Sequence, residues 1–280
     1  MRVPLHIVEA RREKLAKLIE THRYLPLREL CDRLNVSEAT ARRDLSELAK
    51  RNIVTRTHGG ALAEFNERFP SFNDRRSLGG RPKKRVAKAA ARFIQPGGTY
   101  FLDSGTTIFA MAELLRESPP MPATIVTPNL PIGELLAGVE GLSVYLTGGQ
   151  IFARQSVLLG ETARQSLGLW KFDIAFLSAE AANAGGVWNS QEAIVDQQRV
   201  AMDRSNRVLL CLDSSKIGAT APQHLAYWEQ IDTLLTDAPQ ERLAREGIFP
   251  DFSRIINCEA SPPLPLQDFG MGAELPVHYL

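Results

Sequence analysis

Residues 27–45 read LRELCDRLNVSEATARRDL, and this stretch decides the fold of the N-terminal part of the chain. Leucines recur at helical spacing until Asn35 interrupts the pattern. Ser37 is a good N-cap for the helix that follows, which would bury Ala41 and Leu45. The sequence therefore predicts two helices joined by a tight turn.

A longer helix is predicted before this pair, over residues 8–22, because Val8, Leu15 and Ile19 fall on one helical stripe. Three helices in this order are typical of a helix-turn-helix, whose last helix enters the major groove of DNA with its N-terminal half. Arginine can contact guanine with two hydrogen bonds, hydroxyl groups can bind phosphates, and glutamate can accept from cytosine. We predict DNA contacts, rather than only a solvated face, for the exposed polar residues there: Ser37, Glu38, Thr40, Arg42 and Arg43.

Residues 53–62, IVTRTHGGAL, alternate in polarity and then break at a glycine pair, which predicts a β-hairpin wing. Arg56 and His58 would lie on this wing beside the DNA phosphates. No second ligand is spaced with His58, so we expect no metal site there.

Charge is distributed unevenly along the 280 residues, although the formal net charge is only +1. Residues 1–90 carry 21 Lys and Arg against 11 Asp and Glu, whereas residues 91–280 carry 12 against 21. A basic N-terminal part suits a polyanion such as duplex DNA.

The cysteines and the apolar segments indicate where the protein acts. The three cysteines lie far apart without disulfide or zinc spacing, and no segment reaches the roughly 18 apolar residues of a membrane helix. The N-terminus carries no apolar run of secretory length. We expect a reduced, cytoplasmic protein that does not contact membranes.

Four regions are predicted along the chain. Residues 1–62 form the winged helix-turn-helix, and residues 63–83 form a linker that ends in the breaker cluster GGRP, with aromatic residues that pack onto one of the domains. Residues 84–258 form a second domain. Residues 259–280 form a proline-bearing extension, which we expect to be flexible or packed on the surface.

The second domain alternates helix and strand patterns, which predicts an α/β domain with a mainly parallel sheet. The predicted strands cover residues 100–102, 124–127, 143–146, 174–177, 208–212 and 233–235. The main predicted helices cover residues 84–94, 108–116, 131–137 and 193–204. In such sheets ligands bind beyond the carboxyl ends of the strands.

The segment DSGTT, residues 103–107, directly follows the first predicted strand and opens a helix. Its backbone N–H groups, hydroxyl groups and helix dipole suit a phosphate, although Ser and Thr also cap helices for stability alone. No Walker A loop or dinucleotide fingerprint is present. Lys216 follows another strand and is the best anion partner, the alternative being an ordinary surface lysine.

Together these motifs resemble the DeoR family of bacterial transcriptional regulators. The N-terminal part of the resemblance lies in residues 30–34, 36–37, 40–45 and 56–61. The C-terminal part lies in residues 84–90, 101–107, 146–149, 156, 160, 173–176, 192–193 and 213–218. The chain departs from the family where Asp196, Gln197 and Gln198 lie near the position of a common lysine, at Pro128, and where Ile217 replaces phenylalanine.

The resemblance implies a sensor domain of the ribose-5-phosphate isomerase and CoA-transferase type, with a phosphorylated sugar or related metabolite as its signal. It places in the effector site the residues Asp103, Ser104, Gly105, Thr106, Thr107, Gly149, Glu192 and Lys216. No cofactor, metal or catalytic residue is implied.

The leading functional hypothesis is a transcriptional regulator that acts on operator DNA as a homodimer or homotetramer and that a phosphorylated sugar controls. The family resemblance implies a repressor of a carbohydrate operon. One alternative is a sugar-phosphate isomerase or deaminase fused to a DNA-binding module, with Glu180 or Glu192 as the base. Another is a second domain that only oligomerises and binds no ligand.

Overall fold

The structure is a computed structural model that describes residues 4–22, 24–51, 53–56, 60–63, 70–248 and 254–258. Of the predicted DNA-binding residues, His58 lies outside the described residues, and only the backbone of Arg56 is described. The predicted extension over residues 259–280 also lies outside them.

The N-terminal domain is a winged helix-turn-helix, as predicted. Its helices are α1 (Leu5–His22), α2 (Leu27–Leu34) and α3 (Glu38–Lys50), and its strands are β1 (Tyr24–Pro26), β2 (Val54–Arg56) and β3 (Gly60–Ala63). The wing strands β2 and β3 pair antiparallel, and β1 adds a third strand beside β3. The sequence pattern did not indicate β1, which is only three residues long.

The turn between α2 and α3 depends on Asn35, which adopts a left-handed conformation with φ 51° and ψ 53°. Asparagine tolerates this conformation better than most residues. Leu15 and Ile19 of α1 pack with Leu30 of α2 and Leu45 of α3 in one buried core. The apolar stripes that predicted the helices are therefore the faces that hold the domain together.

The second domain contains a seven-stranded parallel sheet in the order β15-β14-β12-β9-β4-β5-β6. Its strands are β4 (Thr99–Leu102), β5 (Ala123–Thr127), β6 (Leu142–Leu146), β9 (Phe172–Leu177), β12 (Ser205–Leu212), β14 (Thr233–Thr236) and β15 (Ile255–Asn257). All six predicted strands are among these seven.

Helices cover both faces of this sheet. They are α4 (Phe72–Ser77), α5 (Gly80–Ala91), α6 (Thr106–Glu117), α7 (Leu130–Leu136), α8 (Glu161–Gly168), α9 (Glu192–Asp203) and α10 (Gln240–Arg245). One core cluster contains buried residues of α4 to α7, and the other contains buried residues of α8 to α10. Among the described helices, none is long and apolar enough to cross a membrane.

Short strands form two further elements. Strands β7 (Gln150–Phe152) and β8 (Val157–Leu159) pair in a hairpin, and β10 (Ala181–Asn183), β11 (Gly186–Asn189) and β13 (Gln223–Ala226) form a small antiparallel sheet. Each has three or four residues, which is too short for a periodic pattern in the sequence to reveal.

Within the predicted linker over residues 63–83, residues 70–83 are described, and they contain α4 and the start of α5. Ser71 and Asp74 form a capping box that starts α4, and Phe72 is 1% exposed. Helix α5 then begins at Gly80, before the expected residue 84. Pro82 lies in its first turn, where a helix does not need the missing N–H.

The strand order creates a switch point between β4 and β9. The chain moves from β4 outward through β5 and β6 and then continues on the other side of β4 through β9 and β12. The connections after β4 and β9 therefore leave toward opposite faces of the sheet, and α/β domains bind ligands in the crevice that such a reversal opens.

Candidate DNA-binding surface and effector crevice

The N-terminal end of α3 presents the predicted DNA-contacting side chains to solvent. Ser37 is the N-cap, and its Oγ accepts from the Thr40 backbone N–H at 3.4 Å and lies 3.0 Å from Thr40 Oγ1. Glu38, Arg42 and Arg43 are exposed. Four of the five positions are therefore exposed, and Thr40 is partly exposed.

Arg42 forms an exposed ion pair one helical turn from its partner, with Arg42 Nη2 at 3.4 Å from Glu38 Oε2. About half of each side chain is accessible, and exposed pairs of this kind contribute little to stability. The pair with Glu38 therefore holds Arg42 only weakly.

A buried carboxylate on the opposite face of α3 fixes this helix against α1. Asp44 is 2% exposed, and its two oxygens accept from Arg11 Nε at 2.6 Å and Arg12 Nε at 3.0 Å. Arg12 also donates to Glu9, which pairs with Arg51 at the end of α3. The hydrogen bond from Arg51 lowers the pKa of Glu9 to about 2. This network, absent from the sequence prediction, sets the orientation of the predicted recognition helix.

Asp103 lies at the carboxyl end of β4 and ties three elements together at the switch point. Its Oδ2 accepts from Ser178 N at 2.9 Å, from Ser178 Oγ at 2.7 Å and from Gln198 Nε2 at 2.8 Å. The residue is 2% exposed. Asp103 therefore positions the crevice, and its Oδ2 is already occupied by donors of the protein.

Gly105 lets the β4–α6 turn pass close to β9. A Cβ at this position would lie 2.1 Å from Ser178 Oγ, which no side chain can accommodate without a shift. Thr106 and Thr107 follow in the first turn of α6 and are both buried. The first N–H groups of a helix lack acceptors within the helix and carry the positive end of its dipole.

A second group of polar residues supports this turn. Asn129 Nδ2 donates to the Ser104 carbonyl at 3.1 Å, and Asn189 Nδ2 donates to Gln198 Oε1 at 2.7 Å. Ser190 Oγ lies 2.6 Å from Glu180 Oε1. The bond between Ser178 and Asp103 joins residues 75 positions apart, so no local sequence pattern predicts it.

The remaining predicted effector residues lie at the ends of other strands. Gly149 follows β6 with φ 107°, and a Cβ there would lie 2.5 Å from the Leu159 carbonyl oxygen. Lys216 is half-buried in a 3-10 turn after β12 that Asp213 caps. Strands β6 and β12, which Gly149 and Lys216 follow, each lie two strands from β4, about 10 Å along the sheet. Glu192 starts α9 and is exposed.

Gln197 has an unusual environment beside Gln198. It is 2% exposed, and within the described part of the chain neither its Nε2 nor its Oε1 has a hydrogen-bond partner. A buried amide in this state retains unused donor and acceptor capacity. The described residues contain no group of three or more His, Cys, Asp or Glu side chains that could hold a metal ion.

The fold defines the class of protein, which is a winged helix-turn-helix of the DNA-binding type followed by a doubly wound α/β domain with buried polar residues at its switch point. Residues 11–67 match the family model described as the DeoR-like helix-turn-helix domain, and residues 80–238 match the DeoR C terminal sensor domain. The chain belongs to the DeoR family of transcriptional regulators, as its motifs indicated.

Its similarity to individual relatives extends over most of both chains. The glycerol-3-phosphate regulon repressor of Escherichia coli (strain K12) is 30% identical over 82% of this chain and 90% of its own length. The transcriptional repressor GlcR of Bacillus subtilis (strain 168) is 28% identical over 82% and 88%. The lactose phosphotransferase system repressor of Staphylococcus epidermidis (strain ATCC 12228 / FDA PCI 1200) is 30% identical over 81% and 91%.

Two solved structures have partial similarity to this chain. Ribose 5-phosphate isomerase A from Methanocaldococcus jannaschii is 17% identical, covers 48% of this chain and 53% of its own, and has a TM-score of 0.35. eIF2B delta from Chaetomium thermophilum is 14% identical, covers 83% and 72%, and has a TM-score of 0.42. No conclusion about the site rests on either.

Proposed function

We propose that the protein represses a carbohydrate-metabolism operon and that a phosphorylated sugar or related metabolite, bound in the crevice at the switch point, controls its affinity for operator DNA. The observation that carries this proposal is the β4–α6 turn, where buried Asp103 holds the first turn of α6 at the carboxyl edge of the sheet. Relatives named as repressors of glycerol-3-phosphate and lactose systems support it.

In this proposal the N-terminal domain binds duplex DNA through α3 and the wing. Arg42 and Arg43 read bases and neutralise phosphates, Ser37 and Thr40 bind phosphates, and Glu38 selects among bases. Arg56 and His58 of the wing would contact the backbone beside the groove.

In the sensor domain the phosphate would bind the N–H and hydroxyl groups of residues 104–107, with Gly105 as the point of close approach. Lys216 would add a cation, and Gly149 and Glu192 would line the sugar end of the crevice. Asp103 is proposed to act by positioning this turn. The ligand shifts DNA affinity only to the extent that it binds one arrangement of the protein more tightly than another.

An enzyme is the weaker reading. Isomerisation requires a base and an acid placed on one substrate. Glu180 already accepts a hydrogen bond from Ser190, and Glu192 is exposed at a helix end. We therefore propose a regulator without catalytic activity. Turnover of ribose 5-phosphate that Glu192→Gln abolishes would contradict this.

We further propose that the protein acts in the cytoplasm as a homodimer or homotetramer, because paired operator half-sites usually mirror a two-fold protein. Edge strand β6 supports contact with a second copy. Tyr145 and Leu146 on this strand are about half exposed, and residues 142–152 carry no charge that would repel a symmetry-related copy. Sedimentation of a monomer at working concentration would contradict this assembly.

Two measurements test the proposed function. Thermal unfolding with glycerol 3-phosphate, ribose 5-phosphate, glucose 6-phosphate and inorganic phosphate should reveal a stabilising ligand, worth about 2.7 kcal/mol at a hundred times its Kd. Electrophoretic shift of the protein's own promoter should show a specific complex that this ligand weakens. A domain that only oligomerises predicts stabilisation by none of the four.

A further inference from the structure

Helix α4 packs on α6, the helix whose first turn forms the proposed phosphate site. The rings of Phe72 and Phe109 meet edge to face with centroids 5.5 Å apart. The guanidinium carbon of Arg76 lies 4.4 Å from the centroid of the Phe109 ring, and Arg76 Nη2 donates to Glu113 Oε1 at 2.8 Å. Closely packed side chains transmit small displacements, so α6 cannot shift without repacking α4.

Lys83 joins the same segment to a second part of the crevice. It is 8% exposed, and its Nζ donates to the carbonyl oxygens of Arg75 at 2.5 Å and Leu78 at 2.6 Å. Burial lowers the pKa of Lys83, the charge of Asp213 raises it, and the charge of Lys216 lowers it. Helix α5, which carries Lys83, is also tied to the turn after β12, because Arg85 Nη2 donates to Asp237 Oδ2 at 2.9 Å and Asp237 Oδ1 accepts from Ser214 N at 2.6 Å.

The position of α4 in the chain relates these contacts to the DNA-binding domain. The last described wing residue is Ala63, and α4 is the first described helix after it. A backbone hydrogen bond from Phe72 N to the Arg154 carbonyl, at 2.9 Å, fixes the start of α4 on the sensor domain. Among the described residues after the wing, α4 is therefore the first helix of the sensor domain, and it contacts both α6 and Lys83.

We propose that α4 and Lys83 form a coupling element, which converts occupancy of the effector crevice into a change of operator affinity. An anion on the first turn of α6 would act on α4 through Phe109 and Glu113. An anion beside Lys216 would act on α5 and Lys83 through the turn after β12, which Asp237 ties to α5. This inference rests on the proposed function, because it assigns the regulation of that same crevice.

The first test measures coupling with ligand. Operator affinity of the full-length protein is measured with and without glycerol 3-phosphate, ribose 5-phosphate or inorganic phosphate, whichever stabilises it. The wild type should change affinity about fivefold or more, and Arg76→Ala and Lys83→Met should change it less than about twofold, while their ligand-free operator affinity stays intact. Arg116→Ala on α6 and Lys84→Met on α5, both exposed positions, are the matched controls. Folded variants that keep the wild-type ratio would overturn the proposal.

The second test needs no ligand, so it separates failure of the coupling from failure of the proposed effector. Gly105→Ala pushes the β4–α6 turn away from Ser178, and amide hydrogen exchange is followed over residues 71–79. Exchange there should change by about threefold or more, and Arg76→Ala should suppress that change. Thr107→Ser replaces Gly105→Ala if the latter does not fold. Unchanged exchange over residues 71–79 in either folded variant would refute the coupling.

Discussion

At the scale of single residues, Asp103 and Gln197 show two opposite uses of a buried polar side chain. Asp103 receives three donors on one oxygen, whereas both amide atoms of Gln197 lack a partner within the described part of the chain. A buried group that is fully satisfied stabilises, and one that is not satisfied costs free energy. The two residues therefore predict opposite outcomes of mutation.

Replacing Asp103 by asparagine should destabilise the sensor domain. The amide cannot reproduce the charged acceptor, so the donors on Ser178 and Gln198 lose about 1.5–3 kcal/mol. Chemical denaturation measures this loss, and thermal shift measures the accompanying loss of ligand response. Asp203→Asn, at an exposed position of α9, is the control. Equal stability of the two variants would show that the Asp103 network does not hold the crevice.

Replacing Gln197 by methionine should raise the free energy of unfolding of the ligand-free protein by about 1–3 kcal/mol. The substitution removes an unsatisfied buried amide, and the methionine side chain has a similar length. Gln198→Met at the next position removes hydrogen bonds to Asp103 and Asn189 and should do the opposite. Urea unfolding compares the two. A destabilised Gln197→Met would mean that the amide has a partner, such as an ordered water.

Sequence reasoning reaches only part of this detail. The polar turn over residues 103–107 could be found because it follows a strand directly. The bond from Gln198 to Asp103 joins residues 95 positions apart, and no local pattern specifies such a pair. Asp44 falls between Ala41 and Leu48 on the buried stripe of α3. A carboxylate on such a stripe needs a cationic partner, and this was the available signal for the contact with Arg11 and Arg12.

At the scale of elements, the contact between α1 and α3 decides how the predicted recognition helix is presented. Charged groups on α1, Glu9 and Arg12 among them, bind Asp44 and Arg51 of the α3 segment. The pattern of apolar residues predicted both helices but says nothing of their relative orientation. Ion pairs on the two helices set that orientation together with the apolar core.

This contact should weaken in acid. Because Arg51 lowers the pKa of Glu9 from 4.5 to about 2, its contribution to stability is fully present above pH 4.5 and is lost as pH falls toward 2. The difference in unfolding free energy between wild type and Glu9→Gln should therefore shrink over this interval. Glu13→Gln, at an exposed position of α1, is the matched control. A constant difference between pH 7 and pH 2 would contradict the assignment.

Short elements were the hardest to predict. Helix α4 has six residues, but the pair Ser71 and Asp74 is a capping signature that the sequence does carry. The breaker cluster at residues 79–82 predicted the end of a domain linker. In the structure Gly79, with φ 66°, makes the sharp turn between α4 and α5. Strands β7, β8, β10, β11 and β13 carry no comparable signal.

At the scale of the whole molecule, the first 90 residues are basic and the remaining residues are acidic. The excess of ten positive charges in residues 1–90 and of nine negative charges in residues 91–280 agrees with one polyanion-binding end. The order of strand and helix patterns was sufficient to predict two domains and a parallel sheet. The position of the switch point required the strand order, which only the structure provides.

Operator binding should depend strongly on salt, and Arg42→Ala with Arg43→Ala should reduce that dependence. Each lost phosphate contact lowers the slope of log K against log salt by about one. Binding is measured at several salt concentrations between about 50 mM and 200 mM. Lys50→Ala, at the exposed C-terminal end of α3, is the control. An unchanged slope in the double variant would exclude both arginines from the phosphate contacts.

The saturation of Asp103 Oδ2 by Ser178 and Gln198 also tells an engineer where to diversify this protein as a biosensor. Variants at these three residues would lose the contacts that hold the sheet together, and they would not respond to new inducers. Under the proposed function, randomising Glu192 at the exposed start of α9 would change what the crevice accepts while its frame stays intact.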